Sequence, residues 1–287
     1  MKISIIMPSY NQGRFVEAAL RSALDQDYPD KEVLFLDGGS RDETMAIAER
    51  YRDRLAYCVS ERDDGQSDAL RKGFERASGQ ILTWLNTDDI LLPGALSEVA
   101  QTFARHKDCE WVLGNVVWID AGGTILRCRR GEGYSSLETR LGVLTACGPS
   151  AFFTQDLYQR VSGINLDLNY MMDTELWWRF AMAGAKFHRL RRYAWALRLH
   201  EDAKMSGHIF AESSDPAQIK VARAKDAERA HIWRLTQGHR MQRAGAFARP
   251  VSLARRACSP HYLLGRYESR LWRGRPLDEF MEAQCGR

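Results

Sequence analysis

Apolar runs and helical-period segments alternate along the N-terminal part of the chain. "KISIIMPS" is apolar almost without a break and predicts a buried strand; "FVEAALRSALDQ" repeats its apolar residues at helical spacing and stops before "DYPD". "EVLFLDGGS" predicts a second buried strand, and "DETMAIAERYRD" a helix with Asp42 able to cap its start. "LAYCVSE", "SDALRKGFERAS", "QILTWLNTDD" and "GALSEVAQTFARH" repeat the order strand, helix, strand, helix, with Pro93 near the last helix's first turn. Strands that are apolar on both faces and separated by helices predict a mostly parallel sheet covered on both sides, an α/β fold.

The pattern loosens after "EWVLGNVVWID". "GGTILRCRR" and "GPSAFFT" predict further strands, and "QDLYQRVSG" a helix. "DTELWWRFAMAG" is a helix with a stripe of Leu176, Phe180 and Ala183, and "KFHRLRRYAWALRLH" is a long strand. From His208 onward the chain reads as helical and rich in Arg and Ala, with no internal repeat.

Charge sharpens that division. Residues 208–287 hold 15 Lys/Arg against 8 Asp/Glu, net +7, while the rest holds 26 against 29, net −3. We therefore expect a body over 1–207 and a basic helical appendage over 208–287. Ile232, Trp233 and Leu235, then Tyr262, Leu263 and Leu264, then Leu271 and Trp272, lie among the arginines. That mixture predicts peripheral contact with an anionic membrane or a dimer interface, and no nucleic-acid partner. No apolar run reaches the roughly 18 residues of a transmembrane helix, and the apolar run before Pro8 is short for a secretory signal, so a cytoplasmic protein is expected. The six cysteines form no CxxC or CxH cluster, which argues against a zinc site or disulfide framework.

In such a sheet, ligands bind beyond the C-terminal ends of the strands. Those ends read "PSYN", "DGGS", "SERDDG" and "NTDD", all polar and all converging on one rim. The adjacent Asp88 and Asp89 repel each other unless a cation joins them or the turn is solvated. Hard carboxylate oxygens suit Mg²⁺ or Mn²⁺, whose coordination shell is commonly completed by water and substrate phosphates. In "DGGS", Asp37 can accept hydrogen bonds from a base or ribose, and Gly39 lets a ligand approach the backbone. Asp63 and Asp64 stand near Lys72, which either faces a diphosphate or lies on a helix surface. Asp173 opens the helix "DTELWWRF" as an N-cap or as a general base; Glu175 and Trp177 could meet an acceptor sugar, or Glu175 could simply pair with Arg179.

Taken in order, "SIIMPSYNQGRFVEAALRSALDQDYPDKEVLFLDGGSRDET", "SERDDGQSDALRKGFERASGQILTWLNTDD" and "DTELWWR" resemble family-2 glycosyltransferases of the GT-A fold, over roughly residues 1 to 205. The resemblance implies inverting transfer from a nucleoside-diphosphate sugar, usually with UDP, with a divalent metal, Mn²⁺ or Mg²⁺. Beside it, the basic tail leads us to expect a hydroxyl of a growing surface or lipid-linked glycan as acceptor. The resemblance also implies a nucleotide-sugar half over 1–120 and an acceptor half over 121–207. Donor contacts fall on Pro8, Ser9, Tyr10, Asn11, Asp37, Gly39, Asp64, Lys72, Asn86, Thr87, Asp88 and Lys204. Metal contacts fall on Asp89, with Asp88 on the ribose or the metal's water shell, and on His200. Asp173 falls on the catalytic base. Gly38 and Asn86 stand where many members carry further carboxylates, and Leu70 where many carry arginine. The "QxxRW" motif of processive synthases is absent, which leads us to expect addition of a single sugar.

Two other readings of the residues remain: a sugar-phosphate nucleotidyltransferase, for which "PSYNQGR" is a thin phosphate loop, and a non-catalytic protein that binds anionic surfaces through its basic tail.

Overall fold

The computed structural model describes residues 1–130, 150–201, 203–204, 223–228, 230–232 and 259–285. Four parallel strands form its N-terminal half. β1 (Ile3–Ser9) lies between β2 (Lys31–Asp37) and β4 (Ile81–Trp84), and β2 pairs with β3 (Tyr57–Ser60). Side chains alternate across a strand. Ile3, Ile5 and Met7 therefore join one core with Val16, Ala19 and Leu20 of helix α1 (Gly13–Leu24) and Leu96 and Val99 of α4 (Ala95–Arg105). Ile6 faces the other core, with Leu70 and Phe74 of α3 (Gln66–Arg76). Helix α2 (Thr44–Glu49) packs beside α1. Asp42 does not cap α2 as an N-cap, since that position is Glu43; its carboxylate accepts from the backbone N–H groups of Gly13 and Thr44 and so ties the two helix starts together.

The sheet continues beyond β4 in mixed sense, in the order β3-β2-β1-β4-β8-β6-β9-β5. β8 (Ala151–Thr154) is antiparallel to both neighbours, β4 and β6 (Trp111–Ile119). β9 (Phe187–Arg198) runs parallel to β6, and the two-residue β5 (Ile90–Leu91) closes the edge antiparallel to β9. β7 (Ile125–Arg129) pairs antiparallel with the far half of β6. Helix α5 (Gln155–Arg160) follows β8 directly, with Thr154 Oγ1 accepting from Leu157 N as its cap. Helix α6 (Met172–Met182) lays Leu176, Trp177 and Phe180 on the second core.

Residues 259–285 pack onto this sheet. Helices α7 (Pro260–Trp272) and α8 (Leu277–Cys285) bring Trp272, Leu277 and Phe280 into a third core with Val117, Ile119, Ile125 and Tyr193. Glu268 of α7 binds Arg130 in a forked pair, with Arg130 Nε at 2.7 Å, and accepts from the Tyr193 hydroxyl. At Gly265, an added Cβ would lie 3.2 Å from the Arg130 backbone N, so helix and strand meet at a distance only glycine allows comfortably. Of the apolar residues expected among the arginines, Ile232 and Trp272 are buried in cores, because each meets other apolar side chains there, while Leu263, Leu264 and Leu271 are exposed. Trp233 and Leu235 lie outside the described residues.

Candidate active site

The strand ends converge as the rim pattern predicts. Ser9, Asp37 and Ser60 stand side by side in register at the ends of β1, β2 and β3. Asp37 is buried and spends its oxygens within the protein: it accepts from Gly39 N at 3.1 Å, Ser40 N at 2.8 Å and Ser60 Oγ at 2.6 Å. Asp37 thus shapes the turn that presents Gly38 and Gly39 to a cavity of about 850 Å³. Asn11 latches the loop after β1 to that turn. Its N donates to Ser40 Oγ and its Oδ1 accepts from Arg41 N, while its own backbone takes φ +50°. Neither Asp37 nor Asn11 lines the cavity; Pro8, Ser9, Tyr10 and Gly39 do.

Asp63, next to the expected Asp64, is the carboxylate that faces inward. It lines the cavity and accepts from Gly65 N at 2.9 Å, and its burial raises its pKa above the ordinary carboxylate value. An added Cβ at Gly38 would come within 2.8 Å of Asp63 Oδ2, so Asp63 occupies the space a side chain there would need. Asp64 is exposed, and Lys72 points away, paired with Asp68 at 3.1 Å and Glu61 at 3.2 Å. Leu70 is core.

The "NTDD" turn divides its labour. Thr87 is buried and donates to Pro8 O or Ser9 Oγ, stapling β4's exit to β1's. Asn86 lines the cavity between Gln66 and Asp89, donating to Asp89 Oδ2 at 3.2 Å. Asp89 is 2% exposed, and Arg198 N (2.9 Å) and Trp195 Nε1 (3.3 Å) also donate to it. Burial first, and Asp88 second, raise its pKa well above the carboxylate norm. Asp88 is the more open of the two and, like Asp89, lines the cavity; its Oδ2 lies 3.2 Å from Nε2 of His200, whose buried ring does not line the cavity. His200 itself is packed on the Phe15 ring, with centroids 4.7 Å apart. Buried Arg198 holds the turn from behind, donating to the carbonyls of Asp88, Asp120 and Ala121.

Asp173 closes the other wall. The residue at the N-cap position of α6 is Met171, so Asp173 is not the cap; it sits inside the first turn, lines the cavity and accepts from Thr174 N at 2.6 Å. Burial raises its pKa, against the pull of Thr174 and Lys204. The Lys204 ammonium reaches in to Gln66 Oε1 and Asn169, and burial of that end lowers its pKa to about 8. Two residues expected on the acceptor side do not reach the cavity. Trp177, one turn after Asp173, is 1% exposed and stacks on Trp84 at 5.4 Å, because the helix dips into the core after its first turn. Glu175 is buried in a two-pronged pair with Arg179 at 2.8 Å.

Sequence reasoning also missed Glu228 and Lys225, which lie in a helical segment (223–228). The Glu228 carboxylate accepts from the N–H groups of Asn169, Tyr170 and Met171, each at 2.9 Å, and so holds the loop that enters α6. Lys225 donates to the Lys204 carbonyl. These contacts join positions about sixty and about twenty residues apart, and no local pattern announces them.

The donor set suits a divalent cation in part. Among the described residues no group of three or more His, Cys, Asp or Glu side chains could hold a metal alone. Asp88 and Asp89 are the carboxylates of this turn that line the cavity, Asp88 the more open, with His200 Nε2 behind it at 3.2 Å, and a bound diphosphate would supply further oxygens.

A mixed sheet of mostly parallel strands, with acidic strand ends around one cleft, is the GT-A architecture of glycosyltransferases. The match to the family model for glycosyl transferase family 2 covers residues 4–161, and the chain belongs to that family. It is 28% identical over 186 residues to an uncharacterized glycosyltransferase of Rickettsia prowazekii, covering 62% of this chain and 58% of that one. It is 31% identical over 136 residues to the GalNAc(5)-diNAcBac-PP-undecaprenol beta-1,3-glucosyltransferase of Campylobacter jejuni, covering 46% and 43%. The chain thus spans about three-fifths or less of these relatives. Its fold is similar to S. aureus TarS 1–349 in complex with UDP-GlcNAc (TM-score 0.59, 19% identity, 72% of this chain and 61% of that one). It is also similar to the mannosyltransferase PcManGT of Pyrobaculum calidifontis in complex with GDP-Man and Mn²⁺ (TM-score 0.55, 18% identity, 91% and 77%).

Proposed function

We propose that this protein is an inverting glycosyltransferase that moves one sugar from a nucleoside-diphosphate sugar, with UDP as the nucleotide, to a hydroxyl of a lipid-linked glycan. The observation that carries the reading is one cavity bounded by two kinds of carboxylate. Asp88, beside His200, is the open carboxylate suited to a cation; Asp173, in the first turn of α6, is the group suited to a proton. The lipid-linked acceptor is proposed because the Campylobacter relative's name places its acceptor on undecaprenol diphosphate.

In this reading Asp63 and the Gly38–Gly39 turn take the nucleoside, with the open backbone at Gly39 allowing close approach. Asp88, the more open carboxylate, would hold the cation, with His200 Nε2 3.2 Å behind it, so that the main ligand would be Asp88 and not Asp89. Asp89, whose oxygens are already engaged, fixes the turn. The cation, when bound, stabilises the charge of the leaving diphosphate as a Lewis acid. Lys204 adds a positive charge from the facing side. Asp173 accepts the proton of the acceptor hydroxyl as that oxygen bonds to the anomeric carbon, and the bond from that carbon to the diphosphate oxygen breaks. A raised pKa suits the carboxylate to this task. One base and attack from the face opposite the diphosphate give inversion with no sugar–enzyme bond.

The test offers the protein a panel of UDP- and GDP-sugars with Mn²⁺ and measures nucleoside-diphosphate release. Slow, metal-dependent release from a UDP-sugar is expected. Release of pyrophosphate from a nucleoside triphosphate and a sugar phosphate, with no release from any nucleotide sugar, would overturn the reading in favour of a nucleotidyltransferase.

A further inference from the structure

The solvent face of α7 is apolar and cationic. Leu263, Tyr267 and Leu271 recur every fourth residue, with Leu264 beside them, and they are 54%, 65%, 42% and 46% exposed. At 100° per residue these four span about a third of the helix circumference, and Arg266 and Arg270 run along one edge of the stripe. Arg273, also exposed, follows just past the helix end. The single acid of α7, Glu268, is turned inward onto Arg130 and Tyr193. The exposed acids nearby are on α8, and one of them, Glu279, lies 3.9 Å from Arg275, which is therefore not counted with the stripe. Large apolar side chains aligned on one exposed face mark an interaction site.

We infer that this face docks on an anionic lipid bilayer. The helix lies in the plane of the interface, its leucines and tyrosine enter the acyl boundary, and its arginines meet headgroup phosphates. Charge selects the occupant. A two-fold pairing of this face with a second copy would bring the arginines of both copies together with no acid on the face to offset them. A bilayer of anionic lipids offers the missing charge and the apolar depth at once.

The opposite face of α7 makes the docked helix a rigid handle. Ser269 Oγ accepts from Cys128 N, Trp272 is in the third core, and Leu277 N donates to Gly123 O. Gly123 lies in the turn whose Asp120 and Ala121 carbonyls accept from Arg198, and Arg198 N donates to Asp89. The bilayer-facing helix is thus tied by packed strands and hydrogen bonds to the acidic rim. This inference does not depend on the activity proposed above.

Vesicle co-sedimentation tests it with the full chain. Vesicles of phosphatidylglycerol and phosphatidylcholine should pull the protein down at low salt and release it as salt rises; pure phosphatidylcholine should hold far less. Leu263→Ser/Tyr267→Ser/Leu271→Ser changes exposed residues only, so unchanged circular dichroism and loss of vesicle binding are expected. Arg266→Gln/Arg270→Gln should weaken the partition by roughly five-fold per arginine. Wild type that stays in solution, or variants that bind as wild type does, would overturn the inference. So would a dimer, seen by sedimentation velocity and abolished by the same variants, with no vesicle binding.

Discussion

His200 Nε2, on a buried ring that does not line the cavity, stands 3.2 Å from Asp88 Oδ2, while the neighbouring Asp89 borders the cavity with its oxygens under three N–H donors. Both carboxylates border the cavity, but Asp88 is the more open and Asp89 is held by its donors, so the two should fail differently. Asp88→Asn should remove the Mn²⁺ dependence of UDP binding and leave the melting temperature near wild type. Asp89→Asn puts an NH₂ among donors and should cost roughly 1–3 kcal/mol of stability. Calorimetric titration of UDP at matched Mn²⁺, paired with thermal melts, separates the two. Reversed phenotypes would return the metal to Asp89.

Asp173→Asn should leave UDP affinity and stability close to wild type and lower transfer by about 10²–10⁴-fold. Because Met171 occupies the N-cap position, no cap is lost. Transfer assays alongside UDP calorimetry check this; full transfer by a folded variant would remove Asp173 from the chemistry.

Lys204 gives the site a pH dependence of known sign. Its lowered pKa of about 8 means it is charged below that pH and neutral above it. A bound diphosphate favours the charged form, so binding takes up a proton once the pH exceeds about 8, and affinity falls as pH rises, by at most about ten-fold per pH unit. Titrations from pH 7 to 9.5 should show this slope in wild type and a flatter, weaker profile in Lys204→Gln. Equal profiles would place Lys204 away from the diphosphate.

Glu228→Ala should free the amides of Asn169, Tyr170 and Met171, whose shared acceptor it is. Faster hydrogen exchange at those amides is expected, with transfer falling more than UDP affinity because the loop leads into Asp173. Unchanged exchange would deny Glu228 its hold on the loop.

The parallel half of the fold was legible because β1, β2 and β4 are buried on both faces and read as continuous apolar runs. The mixed half was not. β8 is antiparallel between β4 and β6, and β5 has two residues; neither orientation nor so short a pairing leaves a periodic trace. The rim residues were legible as a set, but their facing was not. Asp63 and Asp64 are chemically alike, yet Asp63 lines the cavity and Asp64 is exposed, a difference that no local pattern announces. Asp173 and Trp177 share a helix face by spacing, yet only the first turn borders the cavity and the next one is core.

The most direct test of the central claim is a crystal of the protein grown with UDP and Mn²⁺, measured for anomalous scattering from manganese. The account predicts one peak within bonding distance of Asp88 and in contact with the UDP diphosphate, with the uracil near Asp63. UDP bound with its diphosphate away from this rim, or a manganese peak elsewhere, would contradict it.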